Sequence, residues 1–173
     1  MADNLEKIIL DADEENALSQ AKEKIKSIRV LVFSLGKENY CIEIKQAKEV
    51  INLPQITRVP NVPEFITGII NLRGEIVALL DPHYFFGVAK NEKMQESKII
   101  ITDAAGFTVG LLVDEIDDAL DIEESLIQPP LATLNEKLAS YTKGNIQFGD
   151  RILIFLDLAK VLNNAEINNL KKG

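Results

Sequence analysis

The chain has 173 residues, 46% of them hydrophobic and 27% charged, with a formal net charge of −8, one cysteine and one histidine. A chain of this size buries about 70% of its unfolded surface and forms one domain, or two small ones sharing a core. The acidic balance argues against a binder of phosphate backbones, which displaces counterions with clustered Lys and Arg, and equally against docking on anionic membrane surfaces. No apolar run approaches the roughly 18 residues that span a bilayer, and the start, MADNLEKIILDADEENALSQ, lacks the basic lead and apolar core of a signal peptide. A lone Cys41 excludes an internal disulfide and favours the cytosol. These features predict a soluble cytoplasmic protein, monomeric in isolation, with no nucleic-acid partner and no insertion into a membrane.

Residues 1–28 read as an N-terminal segment. Leu18, Ala21, Ile25 and Ile28, spaced by three and four, share one helical face; a short helix and a solvated tail both fit. From Arg29 the texture becomes strand-like. RVLVFSL, a GKEN turn and YCIEI form a predicted hairpin, with the second run alternating outside and inside. KEVINL and QITRVP are short extended pieces, Pro63-Glu64-Phe65 starts a helical turn, and the apolar runs Ile69-Ile70 and Ile76 to Leu80 flank the polar insert Asn71 to Glu75. SKIIITD and FTVGLLVDEI give another hairpin across an AAG turn. TLNEKLASY is ambiguous, and YTKGNIQFGDRILIFLDLAKVL reads as two strands running into a helix. Many short strands separated by turns predict an all-β fold with short helices, a sandwich or barrel rather than an open parallel sheet.

The sequence also repeats. A shift of 76 residues places Gly68 on Gly144, Ile70 on Ile146, Leu72 on Phe148, Ile76 on Ile152, Leu79 on Phe155, Leu80 on Leu156 and Asp81 on Asp157. FSLGKENYCIEI matches ITDAAGFTVGLLV more loosely. The repeat predicts two half-barrels of about five strands each, at about 29–90 and 97–163, followed by a tail over 164–173. In each copy the aspartate is placed to cap the helix that follows.

Little here resembles reaction chemistry. His83 has no second soft ligand for a zinc site, Cys41 sits in a strand where a buried thiol is the default, and neither GxGxxG nor a Walker-type loop occurs. The run Asp114 to Glu124 carries seven carboxylates but lacks the glycine and oxygen spacing of an EF-hand loop, so it is expected to be a solvated strand edge or loop. No metal, cofactor or catalytic residue is expected. Arg73-Gly74 is the outstanding feature: glycine allows positive φ at a turn apex, and arginine there offers donors suited to carboxylates.

The stretches VLVFSLGKENYCIEI, AKEVINLPQITRVPNVPEFITGIINLRGEIVALLD, VGLLVDEIDDAL and GDRILIFLDLAKVL resemble the CheW family of bacterial chemotaxis from about Val30 to Leu162. The resemblance implies two SH3-like β-barrels packed together, no catalysis, and a scaffold linking chemoreceptor cytoplasmic tips to the histidine kinase CheA. It implies receptor-binding positions at Arg73, the receptor-side contact, and at Asn71, Leu72, Gly74 and Glu49, and partner surfaces near Ala47 and Ala119. The chain departs from the family's common pattern with Pro82-His83 where Leu-Arg is usual, and with Ala47 where valine is usual. CheA regulatory domains and CheV-type adaptors share the fold but carry further domains; ten residues beyond the second barrel are too few for them, so a stand-alone adaptor at receptor arrays is expected. The competing expectation is a small β-barrel enzyme or ligand binder that uses Asp81, Asp157 or the acidic run.

Overall fold

The computed structural model describes residues 25–90, 96–164 and 167. Leu18 and Ala21 of the predicted helical face, and most of the predicted tail over 164–173, lie outside the described residues. Ile25 is exposed and Ile28 is already in a strand.

Ten strands run in the order β1 (Ser27–Leu35), β2 (Glu38–Glu43), β3 (Ala47–Asn52), β4 (Ile66–Leu72), β5 (Glu75–Leu80), β6 (Lys98–Ala104), β7 (Phe107–Val113), β8 (Glu115–Glu123), β9 (Thr142–Phe148) and β10 (Arg151–Leu156). Among the described residues, short helices punctuate them: α1 (Pro82–Phe86), α2 (Glu136–Ser140) and α3 (Leu158–Leu162). The ambiguous TLNEKLASY segment resolves as α2, started by Asn135, whose side chain accepts from the Leu138 N–H. Pro63 begins a hydrogen-bonded turn, with the Ile66 N–H donating to its carbonyl, rather than a helix.

Two five-stranded sheets result, ordered β8-β1-β2-β10-β9 and β3-β6-β7-β5-β4. The all-β class and the repeat are therefore as the sequence predicts, but the contiguous half-barrels 29–90 and 97–163 are not. β1 and β2 pair with strands of the second half, while β6 pairs with β3 and β7 with β5. The exchange happens where the chain has no room to turn back on its own sheet. One 3-10 turn, Ile44–Gln46, diverts it after β2, and the single residue Asp114 carries it from β7 into β8. Each sheet is then locked by one parallel pair that joins the halves, β2 with β10 and β5 with β7.

The register shows how closely the halves correspond. Ile70 faces Val77, as Ile146 faces Leu153, and both hairpins slip by one residue at the same place, between Ile66 and Gly68 and between Thr142 and Gly144. The shared glycines follow from a shared crowding. A Cβ on Gly68 would overlap the Thr57 carbonyl and Ile56, and one on Gly144 would overlap the Gln128 carbonyl and Ile127. At those points the returning chain pairs back on the sheet, Thr57 with Ile69 and Gln128 with Asn145, which draws the two edges of each sheet together.

Apolar side chains alternate between two destinations rather than between inside and outside. On β1, Val30 and Val32 join a core enclosed by their own sheet, with Cys41, Ile122, Ile146, Leu153 and Phe155. Leu31, Phe33 and Leu35 point the other way, into a larger core between the sheets that also takes Tyr40, Ile42, Ile100, Leu111 and Ile154. The second sheet encloses its own core of Ile70, Val77, Leu79, Ile99, Ile101 and Leu112. The expected outside-and-inside alternation of YCIEI is corrected accordingly: Tyr40, Cys41 and Ile42 are all buried, because both faces of β2 are covered.

Gly144→Ala is predicted to destabilise the protein by about 2 kcal/mol, since the added methyl collides with backbone rather than with a side chain that can swing away. Gly87→Ala, at a φ of 70° with open space around a Cβ, is predicted to cost less, about 1 kcal/mol of left-handed strain. Denaturant unfolding of the two variants measures both; equal losses, or a larger one at Gly87, contradict the crowding argument.

Candidate functional site

The β4–β5 hairpin closes on Arg73 and Gly74, with Leu72 paired to Glu75 across the turn. Their φ values are 52° and 87°, so both central residues are left-handed, as a two-residue turn between twisted strands requires. Glycine supplies the second position without strain, and an arginine is tolerated at the first. The Asn71 side chain accepts from the Gly74 N–H at 2.9 Å and braces the loop.

The Arg73 guanidinium does not reach freely into solvent. Its Nη1 and Nη2 donate to the two Glu49 carboxylate oxygens at 2.8 and 2.6 Å, a bidentate pair. The hydrogen-bonded Arg73 holds the Glu49 carboxyl below the usual carboxylate range, and Glu49 in turn raises the Arg73 pKa. The arginine side chain is nonetheless 74% exposed. β3 and β4 are the two outer strands of this sheet, so a tip on β4–β5 that meets Glu49 on β3 shows the sheet curling towards closure. The other sheet repeats the arrangement, with Arg151, beside the β9–β10 turn, pairing with Asp117 on outer strand β8.

Arg73, Gly74, Asn71, Leu72 and Glu49 are thus brought together at one end of one sheet. Leu72 packs against the core that sheet encloses. Ala47 is on the same strand as Glu49, half-buried against the core between the sheets. Ala119 is on β8 in the other sheet, opposite Leu31, and is not part of this group. Sequence reasoning missed the apolar rim beside the tip: Ile76 is 64% exposed and Val50 43% exposed. The signal was available for Ile76, which the repeat aligns with Ile152, likewise an exposed residue beside its hairpin tip.

The carboxylates of the competing reading have other work. Asp81 caps α1, accepting from the His83 N–H at 3.0 Å, and Asp157 caps α3, accepting from the Lys160 N–H at 3.0 Å. They close strands of different sheets and each serves its own helix. The acidic run forms outer strand β8, with Glu115, Asp117, Asp118, Asp121 and Glu123 exposed, but Asp114 departs from the solvated expectation and is buried beside His83. Cys41 is buried, and burial pushes its thiol up to about 12. Among the described residues no group of three His, Cys, Asp or Glu is placed to hold a metal ion, and no helix is long and apolar enough to cross a membrane.

Two small barrel-like sheets exchanging strands across a shared core, with an arginine-glycine hairpin tip, define a class of β-scaffold, and comparison with known proteins says which one. The CheW-like domain model matches residues 29–166. Chemotaxis protein CheW of Klebsiella aerogenes is 32% identical over 146 residues, covering 83% of this chain and 88% of that protein. CheW of Thermotoga maritima is 29% identical over 143 residues, covering 83% and 93%. The crystal structure of the scaffolding protein TtCheW from Thermoanaerobacter tengcongensis superposes with a TM-score of 0.73 at 34% identity, over 82% of this chain and 91% of that one. The chain belongs to the CheW-like domain family of chemotaxis proteins.

A buried thiol with a raised pKa is a poor nucleophile, because the thiolate is the reactive form. Cys41 is therefore predicted to resist aromatic disulfide reagents at neutral pH and to react at the rate of unfolding. Fast stoichiometric labelling of the native protein contradicts the burial.

Proposed function

We propose that this protein is a non-enzymatic adaptor that couples chemoreceptor cytoplasmic tips to the histidine kinase CheA, working in the cytoplasm at receptor arrays. The observation that carries the reading is the Arg73–Glu49 tip: exposed, charged, and mounted on two strands that each reach into both cores. Membership in a family whose relatives bear the name chemotaxis protein, and whose solved member is titled a scaffolding protein, supports it.

The chemistry of docking follows from the pair. A guanidinium has five N–H donors, and Glu49 engages Nη1 and Nη2. Donors beyond those two bonds remain for a partner's carboxylate or for carbonyls at a helix C-terminus, both of which a helical receptor tip offers. Glu49 holds the guanidinium plane in one orientation, so little ordering entropy is lost on docking. Exposed Ile76 and Val50 add an apolar rim. The kinase is assigned to the surface around Ala119 on the other sheet.

Arg73→Glu is predicted to leave the melting curve nearly unchanged and to weaken receptor association by about tenfold or more, because it sets a second carboxylate beside Glu49 and repels the partner's. CheA binding should suffer less. The exchanged double variant Glu49→Arg, Arg73→Glu rebuilds the pair in reverse and is predicted not to recover receptor binding. Recovery would mean that the pair merely braces the hairpin; unimpaired binding by Arg73→Glu alone would remove the tip from the interface.

A further inference from the structure

The one histidine of the chain is buried between two aspartates. The His83 Nδ1 lies 2.6 Å from Asp81 Oδ1, and its Nε2 lies 3.1 Å from Asp114 Oδ2. A carboxylate oxygen accepts, so each ring nitrogen meets an acceptor, and only the doubly protonated ring can donate to both. Lys90 completes the cluster, its Nζ 2.8 Å from Asp81 Oδ2 and 4.2 Å from the centre of the Tyr84 ring. With the ring charged, two cations balance two carboxylates. Without that charge, a net negative charge remains where Asp81 is 0%, His83 4% and Asp114 7% exposed, and an unbalanced buried charge is strongly unfavourable.

The position of the cluster gives the charge a mechanical role. Asp81 and His83 stand at the end of β5 and the start of α1, in one sheet. Asp114 is the residue by which the chain passes from β7 in that sheet to β8 in the other. It is fixed to the first hairpin of the other sheet, since its N–H donates to the Ser34 carbonyl at 3.0 Å and its Oδ2 accepts from the Gly36 N–H at 2.5 Å. The ring therefore ties the two sheets at a strand crossing.

We propose that His83 is a proton-dependent clamp on the seam between the two sheets, closed while both ring nitrogens carry protons and loosened when one is lost as pH rises. The facing charged groups are Asp81 and Lys90 from the α1 side and Asp114 from the crossing. Burial pulls the ring's pKa down, and the hydrogen-bonded carboxylates of Asp81 and Asp114 more than reverse it, leaving it raised. A group with a raised folded pKa stabilises the fold in full below its unfolded pKa, and that contribution is lost as pH climbs through the folded value. The clamp is therefore closed below the unfolded pKa and opens as pH rises through the folded value.

Nitrogen-15 NMR of the sole imidazole tests this in the intact chain. Both ring nitrogens should be protonated at pH 6, and the titration midpoint should lie above the roughly 6.5 of an unfolded histidine. Denaturant unfolding between pH 6.5 and 8, below the range where the Cys41 thiol of the unfolded chain ionises, should show the unfolding constant rising with pH by at most about tenfold per unit, the limit for one linked proton. Asp114→Asn, which removes one carboxylate, should lower the imidazole midpoint; if that variant does not fold, the wild-type midpoint decides. A neutral ring at pH 6, or a midpoint at or below that of the unfolded chain, overturns the clamp.

Discussion

The structure depends on the two-sided burial of its central strands. Val30 and Val32 face the core inside one sheet while Leu31, Phe33 and Leu35 face the core between sheets, so β1 cannot leave without opening both. Burying an aliphatic or aromatic side chain is worth about 1.5–3 kcal/mol, and in this fold the central strands β1 and β2 collect that gain on two faces. Strand exchange extends the constraint to the whole chain. Neither half of the sequence owns a complete sheet, and so neither half has an enclosed core without the other.

That arrangement is what holds the hairpin tip in place. Arg73 sits at the end of two strands whose far ends are fixed by the Asp81 N–H donating to the Phe65 carbonyl at 2.7 Å and by the parallel pairing of β5 with β7. Glu49 comes from the opposite outer strand, which approaches because the Thr57–Ile69 bridge closes the sheet. The ion pair is exposed and screened, and so adds little to stability. Its value is positional: it fixes the plane of a guanidinium at the edge of the molecule.

Much of this was legible in sequence, for identifiable reasons. The 76-residue shift recovered the equivalence of two hairpins down to their bulges, because Gly68 and Gly144 answer the same backbone crowding and Asp81 and Asp157 cap helices in the same place. Which strands pair was not legible. A repeat shows that two segments are alike, and nothing in it says whether β1 joins β5 or β10. For the same reason the alternation in YCIEI read as one buried face, when strand exchange covers both. At the site, the Asn71-Leu72-Arg73-Gly74 motif pointed to the tip, but the pairing of Arg73 with Glu49, 24 residues away, depends on curvature of the sheet. The burial of Asp114 depends likewise on a crossing that its acidic neighbours conceal.

The central claim is that this fold serves as a link between two partners and not as a reaction vessel. Co-sedimentation with receptor signalling fragments and CheA tests it most directly. The account predicts that the protein brings receptor and kinase down together as a ternary complex, with CheA recovered in the receptor pellet only when the adaptor is present. A pellet whose CheA content is unchanged by adding the protein would contradict it.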